Sequence, residues 1–115
     1  MHEYAVTESI LEIIQTEAEK AGARHVDKLT VIIGELTSFV DESIEFYFGE
    51  LSRGTAAEGA KLAFENRKAK AVCRDCGSSF RPRLHALFVC PQCGSAAFDL
   101  KQGNELYIES IEVTS

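Results

Sequence analysis

The chain has 115 residues, of which 45% are hydrophobic and 26% are charged, and its formal net charge at pH 7 is −6. These values suit a small folded protein and exclude both a disordered chain and a large multidomain enzyme. No apolar run is long enough to span a bilayer, and the negative charge argues against broad binding to nucleic-acid phosphates. The N-terminus lacks the basic and apolar stretches of a signal peptide, which predicts a cytoplasmic protein.

Two amphipathic helices are predicted in the first half of the chain. The first covers 4–21 and ends at Gly22, a typical helix-terminating residue. Its predicted buried face consists of Val6, Ile10, Ile13, Ile14, Ala18 and Ala21. Asp41 is the predicted N-cap of the second helix, which continues toward Gly54 and leaves Phe46 outside its apolar stripe.

Three strands are predicted around these helices, at 26–33, 61–67 and 105–113. In the last one, the apolar residues change parity, which predicts a bulge or twist near Ser110. Two helices covering one face of a small sheet would bury both apolar stripes. The order therefore predicts an α+β fold, with two helices packed on a three-stranded sheet and an inserted zinc-ribbon module. The predicted domains are 1–67 plus 99–115, and 68–98.

The inserted segment contains two Cys-x-x-Cys-Gly motifs, formed by Cys73 and Cys76 and by Cys90 and Cys93. Two residues between thiols let both sulfurs reach one ion, and the following glycine permits the tight turn that this requires. Four thiolates leave no open coordination position, so the pattern predicts a structural zinc site rather than a catalytic one. An iron centre with four sulfur ligands uses similar turns, and a thiol redox motif is a further alternative.

The cysteine segment is mildly basic, with a formal charge of +4 between Lys68 and Phe98, whereas the remaining residues carry −10. This charge suits either a solvated surface or a docking surface, and a zinc ribbon by itself does not define a function. A nucleic-acid-binding or protein-binding ribbon is therefore the alternative hypothesis. The apolar residues of the segment are interpreted as its small core rather than as a base-stacking platform: Phe80, Leu84, Leu87, Phe88 and Phe98.

The first three residues are Met1, His2 and Glu3. The terminal amine, the His2 amide nitrogen and the His2 imidazole can chelate one ion in fused rings, a nitrogen-rich planar arrangement that favours Ni(II) or Cu(II). Glu3, Asp41, water or another chain are candidates for a fourth ligand. Asp41 is nevertheless interpreted as a helix cap, and His25 as a loop or helix-terminal residue.

Taken together, these motifs resemble the HypA/HybF family of hydrogenase nickel-incorporation proteins. The resemblance includes the Met-His-Glu terminus before an amphipathic helix, the Gly34-Glu35 pair, the two cysteine motifs, and the 103–113 segment. It covers essentially the whole chain in order. Some relatives have histidines flanking the cysteine motifs, whereas here those places hold glycine and serine, and only His85 lies inside the module.

The resemblance implies a non-enzymatic nickel metallochaperone for [NiFe]-hydrogenase and, in some organisms, urease. It implies nickel binding by His2, with Met1 and Glu3 as neighbours in the coordination sphere, and structural zinc at the four cysteines. The implied partners are an accessory GTPase, the hydrogenase large subunit and, in some organisms, urease maturation proteins. Neither a nucleic acid nor a membrane is implied, and the chain is expected to be a monomer or a dimer.

Overall fold

The computed structural model describes residues 2–82 and 88–115. Met1, Leu84, His85 and Leu87, to which the sequence assigned roles, lie outside the described residues. The helices are α1 (Glu3–Lys20) and α2 (Asp41–Leu51), with a short 3-10 turn at Glu35–Thr37. The strands are β1 (His25–Gly34), β2 (Lys61–Arg67), β3 (Lys70–Cys73), β4 (Ser79–Phe80), β5 (Phe98–Gln102) and β6 (Leu106–Thr114).

The chain forms two compact units. Unit 1 comprises Met1–Ile32, Ser38–Glu65 and Tyr107–Ser115, and unit 2 comprises Ile33–Thr37 and Asn66–Leu106. One three-stranded sheet has the order β2-β1-β6, and a second has the order β4-β3-β5. The predicted α+β class and the three-stranded sheet with two helices are therefore confirmed. The predicted division of the chain into domains of 1–67 plus 99–115 and of 68–98 stays a prediction.

The core of unit 1 is formed by one stripe of α1, by β1 and by the buried side of α2. In β1, Leu29, Val31 and Ile32 are each 0% exposed, so both faces of this part of the strand are covered. Packing on both sides of a strand removes the need for polar residues on either face. In α2, Ile44 and Phe48 are buried, whereas Phe46, which the sequence placed outside the apolar stripe, is 63% exposed.

The buried face of α1 differs from the predicted one. Its buried residues are Glu3, Thr7, Ile10, Leu11, Ile14 and Ala18. Ile13, which was predicted to be buried, is 50% exposed. The apolar residues of α1 cover a wide part of its surface that includes both Leu11 and Ile13. The sequence therefore does not show which edge of this stripe is buried, and contacts with the neighbouring elements determine it.

The C-terminal end of α1 and the N-terminal end of α2 are formed in different ways. Past Lys20, the N–H groups of Gly22 and Ala23 bond to the carbonyls of Glu19 and Ala18, and Gly22 has a φ of +64°, which confirms its predicted helix-ending role. At the start of α2, the N-cap is Val40, whose own side chain makes no capping hydrogen bond. The predicted cap, Asp41, is instead the first helical residue, where its charge suits the helix dipole.

The strands of unit 2 frame the cysteine segment. In its antiparallel sheet, Ala71 is paired with Phe80 of β4 and with Leu100 of β5, and Cys73 is paired with Phe98. The rings of Phe80 and Phe88 contact Phe98 edge to face, with centroids 5.5 Å and 6.4 Å apart. Phe80 and Phe98 are half-buried and Phe88 is 39% exposed, so the predicted aromatic core is only partly enclosed. The buried residues of unit 2 include Ala69, Ala71, Cys73 and Cys90.

Unit 2 also contains a close backbone approach that requires glycine. A Cβ at Gly34 would overlap the backbone of Gly103, and Gly103 itself has a φ of +123°. Beside this contact, Glu35 accepts hydrogen bonds from the backbone N–H of Ala69, at 2.6 Å, and from the Arg81 guanidinium. Glu35 therefore ties the 3-10 turn to the segment that leads into β3.

In β6, Leu106 and Ile108 are half-buried, the next two residues are exposed, and Ile111 is half-buried again. The burial pattern thus changes parity where the apolar residues do. The bulge near Ser110 stays a prediction.

Candidate metal centres

The four cysteines of the two motifs converge in unit 2. The Sγ atoms of Cys73, Cys76, Cys90 and Cys93 all lie within 4.8 Å of one another. The Sγ atoms of Cys73 and Cys93 are 3.6 Å apart, and those of Cys76 and Cys90 are 3.5 Å apart. None of these cysteines forms a disulfide bond. Among the described residues, this is the only cluster of three or more His, Cys, Asp or Glu side chains close enough to hold an ion.

Each thiol pair lies on a turn, and the two turns have the same backbone hydrogen bonds. In the first, the N–H of Cys73 donates to the carbonyl of Ser78 and the N–H of Gly77 donates to the carbonyl of Cys73. In the second turn, Cys90, Gly94 and Ser95 have the equivalent bonds, and both glycines have a φ near +77°. The turns follow from local sequence, since a left-handed residue is required there and glycine adopts it without strain.

The geometry fits a tetrahedral ion with four sulfur ligands. Zinc-to-sulfur bonds of about 2.3 Å in a tetrahedron place the sulfurs about 3.8 Å apart. The two measured distances are close to this value. Cys73 and Cys90 are buried and Cys76 and Cys93 are exposed, so the centre lies at the edge of the unit with two ligands held from inside.

The metal-free thiols have unequal acidities. Hydrogen bonds from the side chain and backbone of Ser78, together with those from Cys90 and Cys73, lower the pKa of Cys76 to about 6. A backbone hydrogen bond from Ser95 lowers the pKa of Cys93, but bonds to the neighbouring thiols and burial raise it, with a resulting pKa of about 12. Four thiolates this close repel one another, so a divalent cation is what allows all four to deprotonate.

Side chains that the sequence motifs did not single out link the first turn to the second turn and to β5. The Ser95 hydroxyl donates to the Asp75 carboxylate and accepts from the N–H of Ala97, and the Arg74 guanidinium pairs with Asp99. The signal for Ser78 and Ser95 is present in the sequence, because both motifs continue as Cys-Gly-Ser. The hydrogen bond between Ser95 and Asp75 joins the two motifs, and no sequence pattern around either residue predicts it.

The N-terminal segment has a different construction. His2 is exposed, stands at the N-cap position of α1 and makes no side-chain capping bond. Glu3 is only 6% exposed, and its Oε2 accepts a hydrogen bond of 3.1 Å from the backbone N–H of Val40. The structure therefore separates the predicted ligands, with a free imidazole at position 2 and an anchored carboxylate at position 3. The role of Met1, His2 and Glu3 in nickel binding stays a prediction.

His25 and Asp41 were not predicted as principal ligands, and the structure gives both a place in unit 1. His25 begins β1, where Nδ1 lies 2.9 Å from Oδ1 of Asp27 and Nε2 lies 2.9 Å from the carbonyl oxygen of Glu58. The hydrogen bond to Asp27 and the one to Glu58 raise the pKa of His25. Both ring nitrogens face acceptors, so this imidazole is a structural hydrogen-bond donor.

Comparison with known proteins connects these features to a family. A family model described as hydrogenase/urease nickel incorporation, metallochaperone, hypA, matches residues 1–113. The chain belongs to the HypA family. It is 46% identical to the hydrogenase maturation factor HypA of Caldanaerobacter subterraneus subsp. tengcongensis, over 98% of this chain and 99% of the relative. It is 42% identical to the HypA of Dehalococcoides mccartyi, over 98% and 94%.

Solved HypA structures share the fold. The solution structure of the Ni metallochaperone HypA from Helicobacter pylori superposes with a TM-score of 0.71 at 27% identity, covering 100% of this chain and 99% of that one. A second HypA solution structure gives a TM-score of 0.73 at 28% identity, covering 98% and 96%. The predicted resemblance is thereby confirmed, and the family is one of nickel metallochaperones for hydrogenase maturation with a four-cysteine metal site.

These findings do not favour the alternative of a nucleic-acid-binding ribbon. Of the five basic residues in the cysteine segment, Arg74 is paired with Asp99 and Arg81 with Glu35. A phosphate-binding surface needs cations that are available to the backbone of the nucleic acid. Within residues 2–82 and 88–115, no helix has the length and hydropathy that crossing a bilayer requires.

Proposed function

We propose that this HypA-family protein carries Ni(II) at its N-terminus and transfers it during hydrogenase maturation in the cytoplasm. His2 supplies the principal ligand through its imidazole and amide nitrogens, and the Met1 amine and Glu3 are its neighbours in the coordination sphere. The protein acts as a carrier rather than as a catalyst. The implied partners are an accessory GTPase and the hydrogenase large subunit, with urease maturation proteins in organisms that use them.

The observation that carries this proposal is the contrast between two adjacent residues. The His2 side chain is exposed at the helix end, whereas the Glu3 carboxylate is anchored to the N-terminal end of α2. A ligand on a terminal segment is able to pass its ion to another protein without opening a packed core. The anchor at Glu3 keeps the exposed imidazole at a defined place on unit 1.

We further propose that the four cysteines hold zinc in a structural role. The sulfur separations and the complete set of four thiols fit a closed tetrahedral centre. Zinc bound there would cross-link the two turns and supply folding energy to unit 2. Metal analysis of purified protein tests this assignment directly. One zinc per chain is expected, whereas a coloured protein containing iron would contradict it.

The nickel site is tested by titrating Ni(II) into zinc-loaded protein that has a native N-terminus. We expect binding of about one nickel per chain, lost in His2→Ala and in a variant with one extra residue before Met1. The extension moves the terminal amine out of the fused chelate ring without changing any side chain. His25→Ala is the matched control, since it removes a histidine from the same unit and should leave nickel binding unchanged.

The same titration is able to reject the proposal. If the native chain, His2→Ala and the extended chain bind nickel alike, the ion is held elsewhere. If only His25→Ala loses binding, the site lies at the start of β1. Equal zinc content in all four proteins ensures that the comparison concerns nickel alone.

A further inference from the structure

Three aromatic rings, two exposed and one half-buried, lie in contact on unit 1 where the beginning of α1 meets α2. Tyr4 contacts Tyr47 edge to face, with ring centroids 5.4 Å apart, and Phe46 contacts Tyr47 with centroids 5.6 Å apart. Tyr4 is 49% exposed and Phe46 is 63% exposed. Isolated apolar residues are ordinary on protein surfaces, but adjoining rings from two helices are a feature of interaction sites.

The two helices that carry these rings are predominantly acidic. Together, α1 and α2 contain nine acidic residues and a single basic one, Lys20 at the end of α1. Two exposed carboxylates lie one helical turn from the exposed rings, Glu8 after Tyr4 and Glu42 before Phe46. Another carboxylate one turn beyond Phe46, that of Glu50, is paired with Arg53.

Aromatic faces beside carboxylates are complementary to one kind of side chain. A guanidinium stacks on an aromatic ring through its flat face while its N–H groups donate to a carboxylate. An ammonium ion satisfies the charge but has no planar face to stack. The surface is therefore better suited to arginine than to lysine.

A second copy of this chain is a poor occupant of the surface. A symmetric dimer would bring the same surface of each copy together, and the helices of both copies carry a large excess of carboxylates. Like charges facing each other in an interface are unfavourable. The charge pattern instead requires a partner of opposite sign.

We propose that the aromatic surface, consisting of Tyr4, Phe46 and Tyr47 with the carboxylates of Glu8 and Glu42, binds an arginine-rich segment of a partner protein. Tyr4 follows His2 by two residues, so a segment docked here lies beside the N-terminus of the chain. The connection to nickel transfer rests on the proposed function, whereas the docking itself does not. The surface gives the partner a contact that is independent of the metal.

The test uses full-length, zinc-loaded protein without nickel and hexa-arginine as the probe, with hexa-lysine for comparison. Affinity is measured by calorimetry and the site is mapped by amide chemical-shift changes. We expect hexa-arginine to bind more tightly than hexa-lysine and to shift the amides around Tyr4 and Phe46. Phe46→Ala should weaken hexa-arginine binding by about two- to fivefold, as for an exposed cation–π contact. Glu42→Gln should weaken it by a similar or smaller factor.

Two control variants are available on β6 in the same unit. Tyr107 is 48% exposed and Glu112 is exposed, so Tyr107→Ala and Glu112→Gln remove the same chemical groups elsewhere. Equal losses in these controls, or shifts that map away from the two helices, would overturn the proposal. Equal affinity for hexa-arginine and hexa-lysine would also overturn it. A concentration-dependent dimer that Phe46→Ala abolishes would overturn it as well. Because no nickel is present, failure here leaves the nickel titration unaffected, and the reverse also holds.

Discussion

The four-cysteine centre and the N-terminal segment differ in how much of their geometry is built into the backbone. Around the cysteines, two equivalent turns present four thiols, and two of these thiols are buried. At the N-terminus, His2 is exposed with no capping bond, and the adjacent Glu3 holds the segment through one hydrogen bond to Val40. A site enclosed by its own turns retains a metal, whereas a ligand at a chain end is free to exchange one. This difference supports the proposal of a structural ion at the cysteines and a transported ion at the N-terminus.

The largest expected effect comes from breaking the four-cysteine centre. Cys90 is 1% exposed, and Cys90→Ser removes one of the two buried ligands. Structural zinc contributes about 10–16 kcal/mol of apparent binding free energy in small zinc domains. We therefore expect this variant to lose its zinc. In NMR spectra, the amide signals of unit 2 should lose their dispersion, whereas those of the β1 core of unit 1 should remain dispersed.

Gln92→Ala, at an exposed position between the two cysteines of the second motif, is the control and should retain one zinc per chain. If the zinc-free Cys90→Ser protein kept an ordered unit 2, the packing around Phe98 would be sufficient by itself. It would then be wrong to conclude that unit 2 depends on its metal ion for folding whereas unit 1 does not.

A smaller effect is expected at the anchor of the N-terminal segment. Glu3→Ala leaves the Val40 N–H without its acceptor, and we expect a loss of about 1–3 kcal/mol in the free energy of unfolding. Glu3→Gln keeps a side-chain carbonyl oxygen and should lose less. Urea denaturation of the zinc-loaded proteins measures both, and the exposed Glu8→Ala is the control. Unchanged stability in Glu3→Ala would mean that this carboxylate does not hold the segment in place.

The smallest expected effect is a pH dependence at His25. Asp27 and the Glu58 carbonyl raise the pKa of this imidazole, so the protonated form is the one that the fold stabilises. The stabilisation is fully present below the unfolded pKa of about 6.5 and is lost as the pH rises through the raised folded value. His25→Gln should therefore lower the melting temperature at pH 5.5 and leave it unchanged at pH 9. A difference that is the same at both pH values would show that the charge of His25 is not involved.

The parts that the sequence predicted correctly are those with local causes. A Cys-x-x-Cys-Gly motif determines its own turn, so the convergence of Cys73, Cys76, Cys90 and Cys93 needed only that two such turns meet. The end of α1 at Gly22 has the same kind of cause, because its left-handed conformation suits glycine. The position of Phe46 outside the buried stripe followed from the helical period of α2.

The parts that it missed depend on residues far away in the chain. Ile13 and Leu11 are equally apolar, and only packing decided that Leu11 is buried and Ile13 exposed. Asp41 has the chemistry of a helix cap, yet the carboxylate bonded at the N-terminal end of α2 is that of Glu3, 37 residues earlier. Strands β3, β4 and β5 were not predicted individually, since strands this short are stabilised by their pairing rather than by their own pattern.

By itself, the sequence determined the family, the two helices with their three-stranded sheet, and the four sulfur ligands, because spacing and turn chemistry act over a few residues. Only the tertiary structure decided which side of α1 is buried, that Glu3 is anchored to Val40, and that rings from two helices form one exposed surface. Each of these depends on contacts between segments that are distant in the chain. Such contacts are selected by the packing of the whole unit and leave no pattern in either segment alone.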